Sequence, residues 1–337
     1  MIFFRNDYSL GAHPRVLQAL TDTNMEHTVG YGLDPYCDAA RTKIQELCGA
    51  DTADVHFLMA GTQTNLTALS AFLRPHHAII AADTAHICVH ETGSIEATGH
   101  KIYHVPNVNG KILPHQIEEA VLTHTDEHMV KPKLVYISNT TEIGTVYSKA
   151  ELTAIREMCD KHNLILFCDG ARMGCALTCP EAGITLADMA ALTDAFYIGG
   201  TKNGAMMGEA LVITNDALKE DFRYIIKQRG GMLAKGRLLG VQFLELFKDG
   251  LYFEIADHAN KMAQKVQSEM KKKGYLFPVE SPTNQIFPAV TNEQVEELKE
   301  KVSFEIWGKY DETHTTIRFV TSWGTTEEEI EELLAVL

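Results

Sequence analysis

Short apolar stretches alternate along the chain with amphipathic stretches of helical spacing. The runs at residues 55–59, 78–81, 134–138, 164–168 and 195–198 have the length and apolar character of strands buried on both faces. Stretches with helical periodicity lie between them. Alternating strands and helices are typical of a doubly wound, mainly parallel sheet with right-handed crossovers. The pattern therefore predicts an α/β fold with helices flanking the sheet.

The pattern changes in the last third of the chain. A long helix is predicted over residues 239–273, with a break near Gly250, and several short strands and helices follow it. The last helix begins at a capping box formed by Thr326 and Glu329. We therefore expect an N-terminal segment, a large domain and a small C-terminal α+β domain, over residues 1–30, 31–238 and 239–337.

Composition narrows the classes of function. Hydrophobic residues make up 45% and charged residues 22% of the chain, as in ordinary globular proteins. The formal net charge of −15 argues against nucleic acid or an anionic membrane as the main partner. No apolar run approaches the roughly 20 residues of a membrane span. The N-terminus does not resemble a secretory signal. The seven cysteines of the chain are scattered rather than paired. We therefore expect a cytoplasmic protein without disulfides.

Lys202 follows the predicted strand at 195–198 and lies among glycine and methionine residues. An ammonium group is costly to bury unless its pKa falls or its nitrogen is covalently engaged. A lysine that forms a Schiff base needs such surroundings, since only the neutral amine attacks a carbonyl. Taken alone, the segment is more simply explained as a surface lysine in a glycine-rich turn.

Two other predicted strands are also followed by residues that could take part in binding or catalysis. Asp169 ends the apolar run at 164–168, and ligands of open α/β sheets bind beyond the carboxyl ends of strands. A carboxylate there can pair with the protonated ring nitrogen of pyridoxal phosphate (PLP). Residues 61–63 connect the strand at 55–59 to a predicted helix at 66–73, whose free N–H groups can bind an anion. The combination of anion cradle, acid and lysine is far more specific than any one part.

Histidine and arginine provide further candidates. His86 and His90 lie four residues apart, but no third ligand is evident and the order is not that of an HExxH motif, so we expect no metal. An imidazole lying on an aromatic cofactor ring is the better functional interpretation, with a structural role as the alternative for His90.

Arg318 lies in a predicted strand among apolar residues and is a candidate for binding a substrate carboxylate. A surface arginine on the other face of the strand is equally consistent with the pattern.

Four motifs together resemble those of low-specificity L-threonine aldolases, which are PLP enzymes of the aspartate-aminotransferase-like fold, fold type I. The motifs are GTQTNL at 61–66, TAH at 84–86, DGAR at 169–172 and the lysine segment at 199–204. A looser likeness extends over nearly the whole chain. The resemblance implies that Lys202 holds PLP covalently, that Asp169 pairs with the ring nitrogen and that His86 stacks on the ring. The phosphate would be bound by Gly61, Thr62 and Gln63.

The resemblance also implies how the substrate is bound. Arg172 and Arg318 would orient the cofactor and the substrate carboxylate, with Asn6 close by. The sequence departs from the family where an arginine is often found in the glycine-rich turn, since Leu233 stands there. Lys235 or Arg237 would then contact the phosphate instead. A second C-terminal arginine of the family is also absent, because its position holds Thr313.

Family members are typically tetramers with sites between subunits, so Tyr31 and the turn at 229–237 would act across an interface of a homotetramer. The expected reaction is PLP-dependent cleavage of the Cα–Cβ bond of L-threonine, L-allo-threonine and related β-hydroxy-α-amino acids, giving glycine and an aldehyde. The base that takes the hydroxyl proton would be His86 or a water molecule that it positions. The alternative with the same cofactor is a β-eliminating lyase or an aminotransferase, and a PLP-free binding protein is the alternative of a different class.

Overall fold

A computed structural model describes all residues from Met1 to Leu337. Its largest sheet has seven strands, and there are two smaller sheets of four and two strands. The strands are β1 Ile2–Phe3, β2 Asp54–Leu58, β3 His77–Ala82, β4 Lys101–Val105, β5 Lys131–Ser138, β6 Ile165–Asp169, β7 Ala195–Gly199, β8 Glu209–Ile213, β9 Leu276–Val279, β10 Gln285–Thr291, β11 Val302–Ser303, β12 Glu305–Lys309 and β13 His314–Val320.

The helices cover both faces of the large sheet and continue into the C-terminal part of the chain. The α-helices are α1 Pro14–Asp22, α2 Pro35–Cys48, α3 Gly61–Phe72, α4 His86–Val89, α5 Pro114–Leu122, α6 Lys149–Lys161, α7 Met173–Leu177, α8 Leu186–Leu192, α9 Phe222–Gln228, α10 Arg237–Phe247, α11 Leu251–Lys272, α12 Asn292–Lys299 and α13 Glu327–Val336. Single turns of 3₁₀ helix lie at Glu96–Thr98, Asp216–Leu218 and Lys248–Gly250.

The large sheet has the strand order β2-β8-β7-β6-β5-β3-β4. Strands β4, β3, β5, β6 and β7 pair in parallel, whereas β8 is antiparallel to both of its neighbours, β7 and β2. Every residue of β6, β7 and β8 is buried, which explains why these strands appear in the sequence as continuous apolar runs. The predicted doubly wound, mainly parallel sheet is confirmed.

The C-terminal part is built on an antiparallel sheet of order β12-β13-β10-β9. It has a hydrophobic core of its own, to which α11 contributes Val266 and β13 contributes Ile317. Phe4, from the start of the chain, is buried in this core, and β1 pairs in parallel with β11. The first residues of the chain are therefore packed on its C-terminal part.

The structure refines two element boundaries. Helix α3 begins at Gly61 rather than near residue 66, because the carbonyl oxygen of Ala60 accepts hydrogen bonds from both the backbone N–H and the hydroxyl of Thr64, which closes the first turn. The long predicted helix is broken as expected, at Asp249 and Gly250, which both adopt positive φ angles. None of the helices combines the length and the apolar character needed to cross a lipid bilayer.

Candidate active site

A cleft of about 890 Å³ opens beyond the carboxyl ends of the parallel strands. Strand β12 and Arg318 of β13 form its wall on the side of the small sheet. The sequence-predicted residues that line it are Gly61, Thr62, His86, Asp169, Arg172, Lys202 and Arg318. Residues that lie far apart in the sequence thus meet in one cavity, as expected for loops at one edge of a parallel sheet.

Two glycines bring the loop after β6 against the end of β7. A Cβ atom at Gly170 would overlap the carbonyl oxygen of Tyr197, and one at Gly199 would overlap that of Ala171. The backbone N–H of Gly199 donates to the carbonyl of Gly170 at 2.9 Å. Because the two segments touch through their backbones, the residues that follow each glycine enter the same cleft.

The carboxylate of Asp169 is buried and accepts hydrogen bonds at both oxygens. The hydroxyl of Tyr197 donates to Oδ1 at 2.5 Å, and the backbone N–H of Ala171 donates to the same atom at 2.9 Å. The hydroxyl of Tyr136 donates to Oδ2 at 2.5 Å, as does the amide of Asn65 at 3.0 Å. Every partner is a donor, which favours the ionised carboxylate.

The charges around Asp169 also favour its ionised form. Burial opposes ionisation of Asp169, but the positive charge of His86 and the hydrogen bonds from Tyr136 and Tyr197 outweigh it and hold its pKa below the ordinary value. An ionised, fully hydrogen-bonded carboxylate facing a cleft is suited to pair with a protonated ring nitrogen.

Lys202 is partly buried in the cleft, and its amine has no carboxylate within ion-pair distance. The amine lies over the ring of Tyr8, with 5.9 Å from Nζ to the ring centroid. Burial, followed by the charge of Arg172, lowers the pKa of Lys202 against the opposing pull of Asp7 and Asp169. The neutral amine is therefore more accessible here than at an exposed lysine.

His86 is held by a buried carboxylate. Its Nδ1 atom lies 2.7 Å from Oε1 of Glu91, whose side chain is inaccessible to solvent. Burial opposes protonation of His86, but the bond to Glu91 and the charge of Asp169 raise its pKa above the ordinary value. The amide of Asn65 donates to both Glu91, at 2.7 Å, and Asp169, so that the histidine and the aspartate belong to one network. His90 packs beside His86, with ring centroids 5.6 Å apart.

The start of α3 is shaped to bind an anion. No side chain caps this helix, whose N-cap is Ala60, so the first N–H groups are left for another acceptor. Gly61 lies against Tyr197, since a Cβ atom there would be 3.1 Å from the tyrosine hydroxyl. Thr62 is exposed to the cleft. A phosphate group bound here would receive backbone N–H donors together with the hydroxyl of Thr62.

Arg172 forms an ion pair with the buried carboxylate of Asp7. Its Nε and Nη2 atoms donate to the two oxygens of Asp7 at 2.7 and 3.0 Å, and Asn284 donates to the same carboxylate at 2.9 Å. This two-pronged bond fixes the plane of the guanidinium group. Because the pair is intact within the chain, Arg172 reaches the cleft as an oriented group rather than as a free cation.

Arg318 lacks a carboxylate partner. Its guanidinium carbon lies 5.2 Å from the ring centroid of Trp307, and its side chain donates to the side-chain carbonyl of Gln285 at 3.3 Å and to the backbone carbonyl of Arg5 at 3.5 Å. Its buried Nε atom has no partner. Burial, followed by the charge of Arg172, lowers the pKa of Arg318. A partly buried, unpaired guanidinium in a cleft is suited to bind a ligand carboxylate.

The structure does not bring four of the predicted site residues into this cleft. The side-chain carbonyl of Gln63 accepts from the backbone N–H of Met59, just before α3, at 3.4 Å. Oδ1 of Asn6 accepts from the backbone N–H of Tyr8 and the hydroxyl of Ser9. Local contacts therefore engage both side chains. Tyr31 is 45% exposed, with its ring under the amine of Lys227. Lys235 is exposed as well. Arg237, at the end of the turn that contains Lys235, donates to the backbone carbonyl of Asn24 at 3.0 Å.

The structure adds residues that the sequence analysis missed. Tyr136 and Tyr197 lie within apolar strands, where an aromatic residue is ordinarily read as core, and Asn65 lies one helical turn inside α3. Glu142 and Glu209 also line the cleft. For these residues the sequence offers one signal, a charged residue at the edge of an otherwise apolar, buried run. Glu209, the first residue of β8, is the example.

The arrangement fits PLP. One cavity holds an uncapped helix start for a phosphate, an ionised carboxylate for a ring nitrogen and an amine with a lowered pKa for an aldehyde. No group of three or more histidine, cysteine, aspartate or glutamate side chains is arranged to hold a metal ion.

Comparisons with known proteins agree with this geometry. A family model described as Beta-eliminating lyase matches residues 4–293. The chain is 34% identical over 340 residues to the low specificity L-threonine aldolase of Pseudomonas sp., covering 98% of this chain and 96% of that protein. A solved structure of Leishmania major threonine aldolase superposes with a TM-score of 0.98 at 48% identity, covering 100% of this chain and 98% of that one. An aspartate aminotransferase of Thermus thermophilus, at 14% identity and a TM-score of 0.73, covers 100% and 92% of the two chains and shares the fold alone.

Proposed function

The chain belongs to the beta-eliminating lyase family, and on that premise we propose that it is a threonine aldolase. It is a PLP-dependent lyase of fold type I that cleaves the Cα–Cβ bond of L-threonine, L-allo-threonine and related β-hydroxy-α-amino acids to glycine and an aldehyde. The observation that carries this proposal is the cleft that unites Lys202 and the hydrogen-bonded Asp169, in a chain so similar to threonine aldolases.

Bound PLP supplies a sink for the electron pair left on Cα when the Cα–Cβ bond breaks. Lys202 would hold the cofactor, since its lowered pKa makes the neutral amine available. Asp169 would keep the ring nitrogen protonated, because its own carboxylate is stabilised in the ionised form by four donors. His86 would lie on the ring and be kept in place by Glu91.

The substrate carboxylate would be bound by Arg318 and Arg172. Arg318 has no internal anion to neutralise it, and Trp307 covers one face of its guanidinium group. Arg172 is oriented by Asp7, which uses two of its five N–H donors, and keeps the others for a ligand. Two arginines on one side of the cleft would orient an α-amino acid with its side chain toward the opposite wall.

We also propose that the chain forms a homotetramer in which Tyr31 and Lys235 act on a neighbouring subunit. Exposed apolar side chains near the N-terminus support an interface there: Leu17, Met25, Val29 and Leu33 are each about half exposed or more. Tyr31 lies between Val29 and Leu33 in the sequence. Lys235 lies near them in the fold, because the backbone N–H of Tyr31 donates to the carbonyl oxygen of Ala234, the residue before Lys235.

The activity is tested by supplying L-threonine, L-allo-threonine and L-serine and measuring glycine plus aldehyde against a 2-oxo acid plus ammonia, the 2-oxo acid being 2-oxobutanoate from either threonine and pyruvate from serine. We expect glycine and aldehyde. A 2-oxo acid and ammonia as the main products would instead identify a β-eliminating lyase, and the absence of both product pairs would contradict the proposal.

The lysine is tested by Lys202→Ala. We expect loss of the visible absorption band of lysine-bound PLP together with loss of turnover. Lys261→Ala is a suitable control, because Lys261 lies on α11 and pairs with Asp257 on the surface. Continued glycine release by the Lys202 variant would count against the assignment.

A further inference from the structure

Glu142 is a carboxyl group in the wall of the cleft that the proposed roles leave unused. It lies in the turn after β5 and lines the same cavity as His86, Asp169 and Lys202. No cation lies within ion-pair distance of it, and a partly buried carboxyl group without a cation is rare unless it has a function.

One oxygen of Glu142 is fixed and the other is open. The backbone N–H of His86 donates to Oε1 at 2.9 Å, and the hydroxyl of Ser138 donates to the same atom at 2.7 Å. Oε2 takes part in neither bond and is not completely buried. The side chain is thus held in position by one oxygen while the other faces the cleft.

His86 is less suited to accept a proton. Its Nδ1 atom is bound to the carboxylate of Glu91, which stabilises the positively charged ring, and the nearby Asp169 does the same. A charged imidazolium has no free lone pair with which to accept a proton. Glu142 lies beside His86 in the same wall, bonded to its backbone N–H, and is a carboxyl group with an oxygen free to accept a proton.

We propose that Glu142 is the catalytic base for the β-hydroxyl group of the substrate, an assignment that rests on the aldolase function proposed above. The O–H bond breaks and its proton moves to Oε2, while the carbonyl of the aldehyde forms and the Cα–Cβ bond breaks. The electron pair of that bond remains on Cα, where bound PLP stabilises it. Cα then gains a proton to give glycine, and Glu142 releases its own proton to solvent, so that no proton is consumed overall.

The surroundings of Glu142 suit this task. Burial raises its pKa above the ordinary value, as does the charge of Asp169, which brings it closer to the operating pH of a general base. The titratable groups close enough to influence Glu142 electrostatically are His86 and Cys88 of α4, Tyr136 of β5, Cys168 and Asp169 of β6, and Tyr147 at the end of the turn that contains Glu142.

The test is Glu142→Gln, because the amide oxygen can still accept from His86 and Ser138 and so keep the wall in place. We expect kcat for cleavage of L-threonine to fall by about 100- to 10,000-fold, the usual contribution of general base catalysis. Exchange of the α-proton of glycine for deuterium, followed by NMR, requires no hydroxyl base and should stay within about threefold of the wild-type rate. Glu142→Asp should recover part of the lost cleavage rate, since it restores a carboxylate. Glu157→Gln, on the exposed face of α6, is the control.

A second measurement does not depend on turnover. Infrared spectra of the PLP-free protein, recorded as a function of pH, should contain the carbonyl stretch of a protonated carboxyl group that titrates above an ordinary glutamate and is absent in Glu142→Gln. Cleavage at a near-wild-type rate in this variant would overturn the proposal, as would an equal loss of cleavage and glycine exchange, which would indicate a structural role. A wild-type enzyme that exchanges glycine but cleaves no β-hydroxy acid would refute the aldolase function itself.

Discussion

At the scale of single residues, the site depends on how its charges are compensated. Asp169 is surrounded by donors, Arg172 has an internal carboxylate, and Arg318 and Lys202 have none. Groups that are compensated within the chain are oriented before a ligand arrives. Groups that are not compensated are the ones for which a ligand carboxylate or aldehyde is the natural partner.

Asp169→Asn tests the pairing with a ring nitrogen. The amide is nearly isosteric but cannot carry the negative charge that stabilises a protonated ring. We expect the variant to bind PLP yet to lose about 100-fold or more in kcat, as is usual when one preorganised electrostatic partner is removed. Steady-state kinetics with L-threonine measure the loss, and Asp126→Asn, in a surface loop, is the control. A rate near that of the wild type would exclude this role for Asp169.

At the scale of elements, the loop after β6 and the end of β7 can pack only because neither carries a side chain at the point of contact. A Cβ atom at Gly170 would overlap the carbonyl oxygen of Tyr197, a backbone atom that cannot rotate away. The contact places the loop that follows Asp169 beside the loop that leads to Lys202. The glycine is therefore needed for the distance between the two segments rather than for an unusual backbone angle.

Gly170→Ala should destabilise the protein by about 3 kcal/mol or more, at the upper end for overpacking, since the strands must move apart. Urea unfolding of the PLP-free protein measures the change in the free energy of unfolding. Gly308→Ala is the matched control, because a Cβ atom there has no neighbour within 4 Å and its φ angle is ordinary. Equal stability of the two variants would show that the contact is not as tight as the structure indicates.

The N-terminal segment is fastened to the cleft by the ion pair between Asp7 and Arg172. Breaking a buried pair by neutralising one partner leaves the other charge uncompensated and typically costs about 3–5 kcal/mol. Asp7→Asn should therefore lower the free energy of unfolding by about that amount near pH 7. The conservative Asp38→Asn, at an exposed pair with Arg41, should cost less than about 1 kcal/mol.

The same pair predicts a pH dependence. Burial opposes ionisation of Asp7, but Arg172 outweighs it and holds the pKa of Asp7 below its ordinary value in the folded state. A carboxyl group with a lowered pKa contributes its stability above its unfolded pKa of about 3.9 and loses it as the pH falls through the folded pKa. The difference in stability between wild type and Asp7→Asn should thus be full at pH 7 and shrink below about pH 4. A difference that is constant over this range would argue against the ion pair as its cause.

At the scale of the whole molecule, Tyr31 and the turn containing Lys235 lie outside the cleft of the single chain. The proposed tetramer would bring such groups to a neighbouring site. We expect light scattering after size exclusion to give four times the mass of one chain. Leu33→Glu, which places a charge in the exposed apolar patch, should shift the protein to smaller species, and Lys261→Glu, on the surface of α11, should not. A monomer with full activity would contradict the shared site.

The sequence by itself determined the sheet and the approximate location of the site. Buried parallel strands have continuous apolar runs, and the carboxyl ends of such strands meet at one edge. A lysine and an aspartate placed directly after two of these runs therefore had to lie near each other, and Lys202 and Asp169 do line one cleft.

Only the tertiary structure decided which side chains turn into that cleft and which pairs form within it. The bonds of Asn65 to Glu91 and Asp169, and of His86 to Glu142, join residues that are 26 to 104 positions apart, and no local pattern encodes them. Asn6 was expected in the site, but its side chain is engaged by the turn that it begins. The physical reason is that apolar periodicity is set by neighbours in the chain, whereas hydrogen bonds and charge pairs depend on where the packing of distant elements places each group.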